Sequence, residues 1–231
     1  MSAAPPLGAP VPGWTVRPWP AATPMQGRFV RVEALRPAHS DQLFAANAED
    51  REGRNWAYLP YGPFAEPEAY RRWVADAASR PDPQFYVISD LASGRPVGVA
   101  SLMRMDPANG VIEVGHINYA PPLQRHPGGT EAMYLMMARA FDELGNRRYE
   151  WKCHALNQPS RRAAERLGFT FEGIFRQANV VKGRNRDTAW YSVIDGEWPG
   201  VKAAFEAWLA PENFDRDGRQ RRSLTELRAA R

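Results

Sequence analysis

The apolar positions of this chain follow two periods, and together they lay out a mixed α/β protein. Residues 29–35 alternate apolar and polar side chains, which predicts a strand with one buried face. Residues 37–47 take up a helical spacing with Leu43 and Phe44 turned inward. Residues 66–79 repeat it, with Tyr70, Trp73, Val74 and Ala77 on one face. Between these helices runs a loop dense in aromatics, Trp56, Tyr58, Tyr61 and Phe64, punctuated by Pro60, Gly62 and Pro63. Residues 84–91 and 96–105 read as strands around a turn at 92–95. Asn109-Gly110 then turns the chain into a third strand at 111–119. Residues 130–144 return to the helical period, with Met133, Met136, Met137, Ala140, Phe141 and Leu144 at core spacing and Gly145 as C-cap. Strand 148–155, helix 159–167, strand 170–182, strand 187–194 and helix 201–209 complete the pattern. A three-strand meander inside such an order cannot be wholly parallel, so the expected class is a mixed sheet flanked by helices.

The two ends break this pattern. Residues 1–25 hold seven prolines, a composition that disfavours helix and central strand, although Trp14 and Trp19 give the segment a means of docking. Arg216 to Arg222 form a basic run near the other end. The expected organisation is a Pro-rich extension at 1–26, one domain at 27–209 and an Arg-rich tail at 210–231. With 231 residues, 44 % of them hydrophobic, one domain has enough material for a core.

Charge and cysteine usage narrow the functional classes. The net charge is +4, carried almost wholly by Arg, since Lys152, Lys182 and Lys202 are the only lysines. A basic balance suits an acidic ligand, nucleic acid or anionic lipid. No basic stripe interleaved with aromatics argues for nucleic acid, and the 216–222 run reads as a solvated tail or capping element. No apolar run approaches the ~20 residues of a membrane span. The N-terminus has no basic start followed by an apolar core, so the expectation is no secretory signal and a cytoplasmic protein. Cys153 is the single cysteine, which allows no internal disulfide and no thiolate metal site, and the four histidines lack ligand spacing.

Two segments carry chemistry. Gln124-Arg125-His126-Pro127-Gly128-Gly129-Thr130 follows a strand and opens a helix. Free N–H groups and the helix dipole make such a junction a phosphate cradle. Some thirty residues later comes Asn157-Gln158-Pro159-Ser160, closing on Leu167-Gly168-Phe169. In this order and spacing the two read as an acyl-coenzyme A site.

These segments, with Glu113-Val114-Gly115-His116-Ile117 and the hairpin at 181–187, resemble the GNAT superfamily of acyl-CoA-dependent N-acyltransferases. The closer likeness, over residues 27–198, is to its RimJ/RimL-like branch of ribosomal-protein acetyltransferases. The resemblance implies a mostly antiparallel twisted sheet of six to seven strands, split in a V where the strand ending near Tyr119 parts from the one ending near His154. It implies acetyl-CoA as cosubstrate, no metal, and an amine acceptor: a protein N-terminus, a small amine or an aminoacyl compound. Self-association as a homodimer stays open. There are two departures. The superfamily loop usually reads Gln/Arg-x-x-Gly-x-Gly/Ala, so Pro127 replaces the first glycine and one N–H is lost. Ala164 stands where many members place a general-acid Tyr.

Candidate roles follow. Tyr119, Gln124, Arg125, His126, Gly128, Gly129, Thr130 and Asn157 are expected at the cofactor, Asn157 competing with a plain turn before Pro159. Ser160 is the first candidate to hydrogen-bond or protonate the leaving thiolate, against an ordinary first-turn serine. Glu113 is the candidate base through a water, against a carboxylate ion-paired across the sheet. His154 is a second candidate base. Trp56, Tyr58, Tyr61 and Phe64 form a candidate acceptor wall, against a loop pinned by its aromatics. Two other functions compete with the enzyme: a silent acyl-CoA sensor, motivated by Pro127 and Ala164, and a ribosome- or RNA-associated protein acting through the Arg cluster.

Overall fold

The computed structural model describes residues 5–230; residues 1–4 and Arg231, the tips of the two expected extensions, lie outside the described residues. The elements run β1 (Met25–Gln26), β2 (Val30–Ala34), α1 (Ser40–Asn47), α2 (Pro67–Ser79), β3 (Gln84–Asp90), β4 (Pro96–Asp106) and β5 (Val111–Tyr119). They continue with α3 (Pro127–Ala138), β6 (Arg148–His154), α4 (Gln158–Leu167), β7 (Thr170–Val181), β8 (Arg184–Ile194), α5 (Trp198–Leu209) and α6 (Leu224–Ala229). The strands build one sheet of eight in the order β1-β2-β3-β4-β5-β6-β8-β7. Every pairing is antiparallel except β5 with β6.

The sheet is one strand larger than the alternation foretold. The addition is β1, two residues at the end of the Pro-rich segment, which pair Met25 with Val32 and Gln26 with Arg31. Two residues are too few to show a period, so only tertiary pairing reveals them.

Alternation along β3 explains the two cores. Tyr86 and Ile88 point into one, beneath α3 and α5; Phe85 and Val87 point into the other, beneath α1 and α2. The first core holds the Met face of α3, with Met133, Met136 and Met137 buried. The second is smaller and aromatic, and includes Trp56, Tyr70, Phe85 and, at its margin, Tyr61 and Phe64.

Helix α3 differs from the expected 130–144 at both ends. It starts at Pro127, whose fixed φ suits a first helical position. Beyond Ala138 the chain widens into a π turn, Arg139–Glu143, in which the N–H of Leu144 donates to the Arg139 carbonyl at 3.1 Å. Arg139 is 2 % exposed there, and its guanidinium donates to the carbonyls of Ala21 (3.1 Å) and Thr23 (2.7 Å). That buried fork ties the Pro-rich segment to the body. Trp14 adds a second tie, its indole N–H donating to the Ala108 carbonyl at 2.9 Å.

The C-terminal segment is also packed. Leu224 and Leu227 of α6 are buried in the main core. Gly168 ends α4 at φ +108°, a left-handed conformation. There the Arg228 guanidinium donates to the Glu165 carbonyl at 2.6 Å, a cation placed at a helix C-terminus. Among the described residues no helix is long and apolar enough to cross a membrane.

Candidate active site

The site begins where the sheet comes apart. β5 and β6 pair only over Val111–Val114 and Arg148–Trp151, so the rest of each strand diverges. On its other side β5 also slips: Ser101 faces Gly115 but Val99 faces Asn118, an irregularity centred on His116, which sits at φ +51°. A bulge and a split on one strand leave backbone groups without ladder partners. A cavity of about 1510 Å³ occupies this gap, running from the N-terminus of α3 to the aromatic pair on β7 and β8. Among its lining residues Glu113 is the sole carboxylate, against seven Arg and Lys side chains.

At one end lies the 124–130 loop. Its glycines serve close packing. A Cβ on Gly128 would come within 2.6 Å of Val30, and one on Gly129 within 2.9 Å of the Tyr119 ring. The first turn of α3 is thereby pressed onto β2 and β5. Glu131 locks it, its carboxylate accepting the N–H groups of Arg28 (2.7 Å), Phe29 (2.7 Å) and Val30 (2.9 Å). The expected free N–H cradle needs a correction. His126 caps the helix: its Nδ1 accepts from the Gly128 N–H at 3.1 Å, and its carbonyl accepts from the Gly129 N–H at 3.1 Å. With Pro127 at the first position, the residue before it becomes the cap, and two glycine donors are engaged inside the turn.

Tyr119 and Gln124 hold this end in place. The buried Tyr119 hydroxyl donates to the Gly129 carbonyl at 2.8 Å, and burial raises its pKa. Gln124 donates at 2.9 Å to both the Asn55 side chain and the Tyr119 carbonyl. Arg125, at φ +59°, is exposed along the rim. Thr130 accepts from the Arg166 guanidinium at 3.0 Å. Arg166, together with Trp208, Phe214 and Arg219 of the C-terminal region, lines the same end. Sequence reasoning missed these four: Arg166 lay inside the 157–169 motif without a role of its own, and the other three belong to a region that carries no motif and that only folding brings to the loop.

Midway along the cavity stands Ser160, in the first turn of α4. Its Oγ accepts from the Trp151 indole at 3.0 Å. Asn157 caps α4, its Oδ1 accepting from the Ser160 N–H at 3.2 Å, so the capping role is occupied while the residue still lines the cavity. Cys153 is buried beside them; burial raises its pKa and hydrogen bonding with Ser160 opposes the rise. A protonated, packed thiol is no nucleophile. Ala164 is fully buried in the main core. Asn118, 3 % exposed, also lines the gap, and neither atom of its side-chain amide has a partner among the described residues.

The far end is ionic. Glu113, 2 % exposed, receives the Arg104 guanidinium at 2.8 Å and the Lys152 ammonium at 2.9 Å. The cross-sheet ion pair is therefore the arrangement found, and both carboxylate oxygens are engaged. His154 also differs from a ready base. Its Nδ1 accepts from the Leu156 N–H at 3.1 Å, so in the neutral ring Nε2 carries the proton. Its pKa is lowered, by burial first and then by Arg186. His116 is held at Nδ1 against the Tyr61 hydroxyl (3.2 Å) and stacked on that ring; burial, then Arg104, Arg186 and Arg80, push its pKa down to about 4.

The aromatic wall divides. Tyr58, 37 % exposed, lines the cavity and donates to the Leu156 carbonyl at 3.3 Å. Trp56, Tyr61 and Phe64 do not line it. They are a correction: Trp56 is 4 % exposed, packed edge-on to Phe64 at 5.5 Å, and all three belong to the second core. Composition does not separate a wall from a plug when both are aromatic. Among the described residues no group of three His, Cys, Asp or Glu is placed to hold a metal ion.

A split mixed sheet, a helix N-terminus at one end of the split and a cationic cavity along it are the features of an acetyltransferase fold. The acetyltransferase (GNAT) domain family matches residues 30–170, and the chain belongs to that family. It is 32 % identical over 177 residues, 75 % of this chain and 95 % of the other, to a Bacillus subtilis (strain 168) protein named "Putative ribosomal N-acetyltransferase YdaF". Among solved structures it is similar to a GCN5-related N-acetyltransferase from Brucella melitensis, at 51 % identity and a TM-score of 0.93, covering 95 % of this chain and all of that one. A probable acetyltransferase (GNAT family) from Chromobacterium violaceum is 38 % identical, with a TM-score of 0.78, covering 86 % and 100 %. The sheet, helices and split expected from the resemblance are those of this fold.

Proposed function

We propose that this acetyltransferase moves the acetyl group of acetyl-CoA to a primary amine by direct attack. The amine belongs to a protein N-terminus, as the relative's name suggests, or to a small amine or aminoacyl compound. The observation that carries the reading is the cavity along the β5–β6 split, with one carboxylate among seven Arg and Lys side chains and the N-terminus of α3 at one end. A nucleotide carrying three phosphate groups suits such a lining.

The residues present fit that cosubstrate. Arg125, Arg166 and Arg219 stand where phosphates would lie, and the dipole of α3 adds to them. Side-chain cations replace the N–H groups that His126 caps. The orphaned amide of Asn118 would pair with pantetheine amides, since a buried unpaired amide costs about 1–3 kcal/mol until a partner arrives. Acetyl-CoA supplies the thioester: a C–N bond forms as the C–S bond breaks, and one proton passes from the amine to sulfur. Ser160 is the hydroxyl put forward to reach that sulfur; the Trp151 indole donates to its oxygen, so its own hydrogen is the one it would offer. Backbone groups at the His116 bulge are the candidates to polarise the carbonyl. Glu113 fixes Arg104 and Lys152 at the acceptor end, and no side chain there is assigned as base.

Ser160→Ala tests the reading. Its kcat should fall about 100-fold, at the low end of a lost proton donor, while calorimetry finds CoA affinity within about two-fold of the wild type. Equal loss of both would make Ser160 structural. Tight CoA binding with no acetyl transfer to any amine would favour the sensor instead.

A further inference from the structure

Among the described residues the Arg186 guanidinium makes no ion pair. It follows the β7–β8 turn, half-buried, and lines the acceptor end of the cavity. Its Nε is buried and has no hydrogen-bond partner among the described residues. The one carboxylate in the lining, Glu113, is already shared by Arg104 and Lys152. Lys152 also reaches Glu150 at 2.6 Å, so Arg104 and Lys152 both have carboxylate partners and Arg186 has none among the described residues. A half-buried guanidinium without a partner carries a desolvation cost that a bound anion would relieve.

Strand geometry adds a second donor. Arg186, Thr188 and Trp190 alternate along β8, so they share one face, and all three line the cavity. The Trp190 indole N–H is also buried without a partner among the described residues. Its ring stacks on Phe175 with centroids 4.3 Å apart, and the Lys152 ammonium lies 3.8 Å over it. One face of β8 therefore offers two unmatched donors beside a flat aromatic surface. Donors without acceptors call for an acceptor-rich group, and a planar carboxylate matches the fork of an arginine.

We propose that the acceptor amine carries an oxyanion, a carboxylate in the first instance, which the Arg186 guanidinium binds. This rests on the acetyl-transfer reading above and names its substrate class. Arg186 lines the same cavity as Cys153 and Glu113, on the side of the β5–β6 split. The anion then sits only a few bonds from the nitrogen. A free α-amino acid meets that requirement, as does a peptide whose first side chain is acidic; a neutral peptide N-terminus does not.

The test is thiol release from acetyl-CoA with paired acceptors. One arm sets free L-amino acids against their C-terminal amides. The other sets peptides beginning with Asp or Glu against the same peptides beginning with Asn or Gln. The anionic member of the favoured arm should lead in kcat/KM by about ten-fold or more, a hydrogen-bonded charge pair. Arg186→Gln should bring that ratio close to one, and Arg186→Lys should keep part of it. CoA affinity, read separately by calorimetry, shows that each variant is folded. Transfer without preference for the anionic member, or a ratio that Arg186→Gln leaves intact, overturns the inference alone. No transfer to any member overturns the acetyl-transfer reading and the inference with it.

Discussion

The two ends of the cavity are built on opposite plans. At the α3 end, backbone and side-chain groups are matched to one another: His126 caps Gly128, Tyr119 holds Gly129, and Arg166 meets Thr130. Its unspent capacity lies in exposed arginines along the rim. At the acceptor end the unspent capacity is half-buried: Arg186 and Trp190 keep unmatched donors. A rim of exposed charge adds attraction in small increments that salt weakens. A buried unmatched donor is costly until filled and so discriminates sharply. The donor end is suited to hold an invariant nucleotide; the acceptor end is suited to select.

The contrast is broken most severely through the aromatic loop. Trp56→Ala should cost about 3–5 kcal/mol of stability, as for a large core residue, and lower Tm accordingly. Unchanged Tm with a raised acceptor KM would return Trp56 to the substrate wall and make the acceptor end an aromatic site after all.

His116 gives the next largest effect. Its folded pKa, about 4, lies below the ordinary 6.5. Its neutral form is therefore favoured by folding. The associated stability is complete above about pH 6.5 and is lost as pH falls towards 4, by about 3 kcal/mol in all. Denaturant titrations from pH 7 to pH 4 should show that slope, and His116→Gln should flatten it. An unaltered slope in the variant would place the acid-sensitive group elsewhere.

The smallest effect belongs to the rim. Arg219→Ala should weaken CoA binding about two- to five-fold, the range of an exposed charge contact, and less so at high salt. A loss of a hundred-fold would mean that the C-terminal segment supplies a buried contact, and that the two ends are built alike.

Period and motif made much of this molecule legible. Residues 29–35 and 148–154 alternate, so their strands could be read; spacing singled out Ser160 and Asn157, and both line the cavity. The Ile88-Tyr86 face and the Phe85-Val87 face could not be assigned to different cores, because alternation does not say what covers a face. The glycine loop was located correctly, but its N–H groups were read as free. That error came from a single side chain, since nothing local shows that His126 folds back onto Gly128. Arg186 lies in a Gly-Arg-Asn-Arg turn, where nothing in the sequence signals burial. Its half-burial depends on β7, β8 and the diverging ends of β5 and β6, which only the folded sheet brings together. The same holds for Trp208, Phe214 and Arg219, remote in sequence from the loop they flank.

Amide hydrogen exchange of the full chain, with and without CoA, tests the central claim most directly. The account predicts slowed exchange at 115–119 along the bulged half of β5, at 127–130 in the first turn of α3 and at 157–161 in the first turn of α4. Unchanged exchange in all three segments with CoA bound, or protection confined to other parts of the chain, would contradict it.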